Sequence, residues 1–101
     1  MIIPFTAKPY DNATVDGSVE LLQASKEPYE AVMEADGWSY HLIFGHQVNG
    51  WFICIPNWSI GAELSHPNDY IWNKSSLKSA GVDNQLASCI STALKAVSQY
   101  L

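Results

Sequence analysis

Residues 29–55 read YEAVMEADGWSYHLIFGHQVNGWFICI. Two dipeptides within the stretch, Asp36-Gly37 and Asn49-Gly50, are strong hairpin signals, because both central positions of a type I′ turn need a positive φ. If each supplies a two-residue turn, the pairing follows by arithmetic. Around Asp36-Gly37, Ala35 faces Trp38, Met33 faces Tyr40, Ala31 faces Leu42 and Tyr29 faces Phe44. Around Asn49-Gly50, Val48 faces Trp51, His46 faces Ile53 and Phe44 faces Ile55. Side chains alternate along a strand, so both turns send one set to a single face. That set is Tyr29, Ala31, Met33, Ala35, Trp38, Tyr40, Leu42, Phe44, Val48, Trp51, Ile53 and Ile55. Only His46 interrupts its apolar character. Two independent turns thus agree on one buried face, the consistency expected of a foldable sequence. Truncating Trp51 on that face is expected to cost about 3–5 kcal/mol.

The opposite face carries Glu30, Val32, Glu34, Ser39, His41, Ile43, Gln47, Phe52 and Cys54. An earlier strand, Thr14 to Gln23, alternates Val15, Val19 and Leu21 against Ser18, Glu20 and Leu22, and adds Glu20 to this outer face. Ser25 to Pro28 forms the following turn. Pro56-Asn57 ends the aromatic strand, since proline cannot donate to a central ladder. A short strand over Ser59 to Leu64 follows it. No element is assigned to the opening MIIPFTAKPY, where Pro4 and Lys8 interrupt any apolar run.

The C-terminus changes period. Val82, Leu86, Cys89, Ile90, Ala93, Leu94, Val97 and Leu101 recur at spacings of three and four, the mark of an amphipathic helix. Asp83 is its N-cap. Asn73 starts a short helix through Ala80, and Gly81 stops it. The expected class is therefore α+β: a meandering antiparallel sheet of four to five strands, a short helix, and a C-terminal amphipathic helix packed on one face. The 101 residues read as a single domain, 1–101.

Composition excludes several functions. Ten acids against five bases leave a net charge of −5, and every base is a lysine. Arginine is the preferred binder of phosphate and of guanine edges, so direct nucleic-acid binding is not expected. Seven of the acids fall between Asp11 and Asp36, where Lys26 is the only base, which gives one region a negative potential. No apolar run approaches about 18 residues and the N-terminus lacks a basic leader, so the expected location is the cytoplasm and not a membrane. Cys54 and Cys89 lie in apolar patterns and read as reduced core residues.

No catalytic motif stands in the chain. His41 and His46 are five apart on one strand and point to opposite faces, so they cannot hold a metal together; no metal or cofactor is expected. His46 reads as a core histidine with a hydrogen-bond partner. Two candidate binding surfaces remain. One is the outer sheet face, where Glu20, Glu30, Glu34 and Phe52 mix charge with apolar area, as protein interfaces do. Its plainer account is a half-solvated sheet with acids for solubility, and a second copy of the chain could also cover it. The other is the aromatic segment holding Trp58, Glu63, His66, Asp69, Tyr70, Trp72 and Asn73, whose rings would wall a nucleotide-sized pocket. There the plainer account is aromatic residues capping the core, and Lys74 and Lys78 are the only nearby cations for a phosphate.

The run CIPNWSIGAELS at 54–65, followed by DYIWN at 69–73, resembles a family of small uncharacterised proteins of Firmicutes, their mobile elements and phages. The resemblance covers the second half of the chain and implies a setting rather than an activity. Small acidic proteins of that setting include inhibitors of host defence, anti-CRISPR proteins among them, and proteins that sequester nucleotide signals. The expectation is then a non-catalytic binding protein that inhibits a bacterial defence system by contacting a host protein, such as a basic nucleic-acid-handling enzyme. The alternatives are a sponge for a small nucleotide-like signal and a structural subunit of a larger assembly.

Overall fold

The computed structural model describes residues 1–48, 50–56, 60–64, 74–79 and 81–101. Six strands among them form one antiparallel meander in the order β1 to β6: β1 Ile2–Tyr10, β2 Ala13–Gln23, β3 Tyr29–Ala35, β4 Trp38–Gln47, β5 Gly50–Ile55 and β6 Ile60–Leu64. Two helices follow, α1 Lys74–Ser79 and α2 Asn84–Val97. The class is α+β, with one strand more than the largest number expected.

The extra strand is β1. Ile3, Phe5, Ala7 and Pro9 are buried while Ile2, Pro4, Thr6 and Lys8 are exposed, an unbroken two-residue period. Its two prolines argue against a central strand, but an edge strand tolerates them because one side needs no ladder donors. β1 pairs with β2 from Ile2↔Glu20 to Tyr10↔Ala13, across a turn at Asp11 and Asn12.

The β3–β4 hairpin has the expected register, from Ala35↔Trp38 to Tyr29↔Phe44. Asp36 and Gly37 both take positive φ, +52° and +78°, as a type I′ turn demands. The β4–β5 pairing differs from expectation. Gln47 pairs with Gly50, His46 with Trp51 and Phe44 with Ile53. Every β5 residue sits one two-residue repeat from its expected partner, so the faces are conserved while the partners change. Side-chain pairing explains the choice. The observed alignment sets buried Ile53 against buried Phe44 and removes His46 from opposite Ile53. Val48, expected on the buried face, is fully exposed. Asn49 lies outside the described residues.

The inner sheet face carries Ile3, Phe5, Val19, Met33, Leu42, Phe44, Ile53 and Ile55, all in one core with Leu77, Leu86, Ile90, Ala93, Leu94 and Val97 of the helices. α2 packs chiefly on β1, and then on α1, β2 and β3. Its N-cap is Asp83, whose Oδ1 accepts the Leu86 backbone N–H at 2.9 Å. Asn84 Nδ2 donates to the Pro9 carbonyl at 2.8 Å, tying the helix start to β1. After α1, the Val82 N–H returns to the Leu77 carbonyl at 3.1 Å and that of Gly81, at φ +97°, to Lys78 at 3.0 Å, a Schellman stop. Asn73 and Ala80, expected at the ends of this helix, lie outside the described residues.

Candidate functional site

Both helices join the core on the inner face, and no described element crosses the outer one. The register builds that outer face row by row: Ile2, Glu20, Val32 and His41; then Pro4, Ser18, Glu34 and Ser39; then Glu30, Ile43 and Cys54; then Gly45 and Phe52. Glu20, Glu30, Glu34 and Phe52 therefore share one face, as strand parity requires.

Their roles within it differ. Glu20 and Glu34 are exposed. Glu30 is half-buried and bonded to His41, with Oε1 3.1 Å from Nε2. Phe52 is half-buried over Gly45, where an added Cβ would meet the ring at 3.2 Å. The ring replaces a missing side chain on the neighbouring strand, so Phe52 stabilises the sheet as well as offering surface. Of the aromatic segment, Trp58, His66, Asp69, Tyr70, Trp72 and Asn73 lie outside the described residues. Glu63 belongs to β6, opposite Phe52 in the ladder.

His46 is not a core residue: its side chain is half-exposed. Its ring packs against that of Trp51 with centroids 3.7 Å apart and planes tilted by 41°, its Nδ1 bonds the Glu27 carboxylate, and its backbone N–H donates to Glu27 Oε2 at 3.1 Å. One carboxylate thus fastens the β2–β3 turn to β4. Partial desolvation pushes the Glu27 carboxyl up, but the hydrogen bonds and charge of His46, with the Tyr29 hydroxyl, outweigh it and hold the group below its ordinary value of 4.5. A depressed carboxyl stabilises the fold above its unfolded-state value and loses that contribution as pH falls through the folded-state value. Glu27→Gln is therefore expected to flatten the acid limb of the stability curve below pH 4.5. Urea denaturation across that range checks it.

Two hollows flank the Asp36-Gly37 end of the sheet. One, of about 550 Å³, is lined by Asp16, Ser18, Glu34, Asp36, Trp38 and Ser39 with the intervening backbone, on the outer side. The other, of about 230 Å³, lies under the start of α2 among Asp36, Trp38, Tyr40, Asp83, Leu86 and Cys89. Trp38 lines both and is 65% exposed, although strand parity assigns it to the buried face. It stands where the inner face runs out from under α2. Its exposure depends on the reach of a helix far along the chain, which alternation alone does not encode. The visible signal is an aromatic residue flanking an acidic turn.

The second hollow is chemically quiet. Burial pushes the Cys89 thiol up, helped by the nearby charges of Asp36 and Asp83, so the nucleophilic thiolate is suppressed. Burial likewise raises Tyr40. Asp83 is committed to capping, and Asp36 Oδ2 accepts from Gln85 Nε2 at 3.3 Å. Among the described residues, no three His, Cys, Asp or Glu side chains converge to hold a metal ion. No helix among them is long and apolar enough to cross a membrane.

No curated protein and no solved structure matches the chain. A family model does, over residues 3–101, and so reaches well beyond the second-half motifs that carried the resemblance. The chain belongs to DUF6618, a family of unknown function.

Proposed function

We propose that the chain is a non-catalytic binding protein that docks a basic partner protein on the outer face of its sheet. The observation that supports this best is the outer face itself, which no described element covers. Exposed Glu20 and Glu34 stand beside Ile2, Leu22, Val32, Ile43 and Phe52, a mixture of charge and apolar area suited to an interface. The charge is also biased. Lys74, Lys78 and Lys95 lie on the helices, in the other layer, while the sheet carries Asp16, Glu20, Glu30 and Glu34 against Lys8 of β1. Such a field draws in a basic surface and opposes pairing of two copies through this face.

The setting implied by the resemblance makes a host defence protein, such as a nucleic-acid-handling enzyme, the first partner to test. Capture from host lysate would identify it, and its affinity would then be compared with that of a Glu20→Lys/Glu34→Lys variant. Glu30 is spared because His41 depends on it. The double reversal is expected to weaken binding at least ~100-fold, since like charges are then brought together, with the thermal midpoint nearly unchanged. Unchanged affinity overturns this reading.

A further inference from the structure

The hollow under the start of α2 offers no nucleophile, yet its walls suit a ligand that needs none. We propose that it is a binding pocket for a quaternary, fully methylated ammonium group, held by the rings of Trp38 and Tyr40 in the negative field of Asp36 and Asp83. The pocket lies on the helix side of the sheet and does not depend on the outer face.

Strand parity puts Trp38 and Tyr40 on one face. They are two apart on β4, and their β3 partners, Ala35 and Met33, both belong to the core. Tyr40 is buried and forms part of the floor, whereas Trp38 stands beyond the helix as a wall open to water. Leu86 and Cys89, three apart on α2 and both buried, complete the floor. The volume of about 230 Å³ lies below the ~300–1,000 Å³ of clefts for larger ligands and fits a compact headgroup. Asp36 and Asp83 line the same hollow, and no lysine does. Burial is the larger cause of the raised Cys89 thiol, but the charges of Asp36 and Asp83 add to it, so both carboxylates act on the interior. Tyr40, raised first by burial, feels the same two charges.

The engagement of the two acids selects the cation. Asp83 Oδ1 accepts the Leu86 N–H at 2.9 Å and Asp36 Oδ2 the Gln85 amide at 3.3 Å, so each carboxylate is turned onto a protein donor. A primary ammonium brings three N–H donors and a guanidinium five, and each donor needs an acceptor once it leaves water. Much of the remaining lining is ring, aliphatic side chain and thiol, which supplies few acceptors. A quaternary ammonium donates no hydrogen bond. Its charge is spread over apolar methyl surface, which aromatic rings attract and a negative field stabilises without direct bonding. An inorganic cation fits less well, because among the described residues no three ligating side chains converge. Two sources carry the group, a free choline-like molecule and a trimethylated lysine side chain of a partner.

The test titrates choline into the whole protein, followed by amide and indole NMR, beside ethanolamine and the neutral isostere of choline in which carbon replaces the quaternary nitrogen. Choline is expected to give saturable shifts at the Trp38 indole N–H and the Gln85 and Leu86 amides, with a dissociation constant of about 1 mM. The isostere, which keeps shape and loses charge, should bind at least ~10-fold more weakly, and ethanolamine, which keeps charge and loses the methyls, about 3–10-fold more weakly. Trp38→Leu, which keeps an apolar wall and removes the indole, should weaken choline about 5–10-fold with an otherwise unchanged amide spectrum. Asp36→Asn should also weaken it, since asparagine tolerates the positive φ of the turn and still accepts from Gln85 while removing the charge. Asp83 is left intact because it caps α2. The blocked peptide acetyl-Gly-trimethyllysine-Gly-amide separates the sources: binding tighter than choline assigns a modified side chain of a partner, and weaker binding a free molecule. Equal affinities for choline and its isostere overturn the pocket. So do unchanged choline binding by Trp38→Leu, shifts confined to residues away from this hollow, and calcium binding near stoichiometry that displaces choline. Glu20→Lys/Glu34→Lys, on the opposite face, should leave the choline affinity within about 2-fold, so the two proposals fail separately.

Discussion

Phe44→Ala is expected to lower the unfolding free energy by about 3–5 kcal/mol. Phe44 is fully buried at the centre of the sheet, between Tyr29 on β3 and Ile53 on β5. Its ring meets that of Tyr29 at 5.6 Å between centroids, tilted by 50°. Truncation removes the transfer energy of a whole ring and leaves a cavity that strands hydrogen-bonded on both sides cannot close. A domain of this size is typically stable by about 5–15 kcal/mol, so the loss threatens the folded state itself. Urea denaturation, read by midpoint at constant slope, measures it. A loss under about 2 kcal/mol would show that the neighbours collapse into the space. Trp51, expected from the sequence to carry a cost of this order, is only half-buried against His46, and its truncation belongs below that range.

Adding a single methyl is expected to be nearly as damaging at Gly17. Strand glycines replaced by alanine normally gain stability through reduced chain entropy. Here a Cβ would lie 2.4 Å from the Glu34 carbonyl oxygen and 2.6 Å from Phe5 Cζ. The ring could turn, but the carbonyl belongs to the adjoining strand and cannot retreat without opening the β2–β3 ladder. Gly17→Ala should therefore cost about 3 kcal/mol or more. Combining it with Phe5→Leu separates the two clashes. If the backbone contact dominates, the second substitution restores little; near-complete recovery would place the whole penalty on the ring.

The comparison of sequence with structure divides along the range of the interactions involved. Asp36-Gly37 set the β3–β4 register unaided, because the turn and the alternation on both flanks favoured the same pairing. Asn49-Gly50 carried an equally strong local signal and lost. The partners it implied would set His46 opposite Ile53, and the fold takes the alignment two residues away that sets Phe44 there. β1 escaped notice because Pro4 and Pro9 depress strand propensity, and only its edge position makes them harmless. The helices were legible from their three-and-four spacing and the Asp83 cap. In the candidate site, parity alone brought Glu20, Glu30, Glu34 and Phe52 to one face. It could not show that Glu30 is engaged with His41, nor that Trp38 projects beyond the cover of α2.

The dependence of β1 on α2 also governs the order in which the molecule can assemble. The bond from Asn84 to Pro9 spans 75 positions, and the helix rests chiefly on the first strand. The hairpins of the meander close between neighbours and can form early. The first strand's inner face, with Ile3 and Phe5, has no lid until nearly the whole chain has been made. A growing polypeptide therefore carries an open apolar sheet through most of its synthesis, and completion of the core waits on its most distant contact. The exposed interval is set by the path of the chain, and faster hairpin formation cannot shorten it.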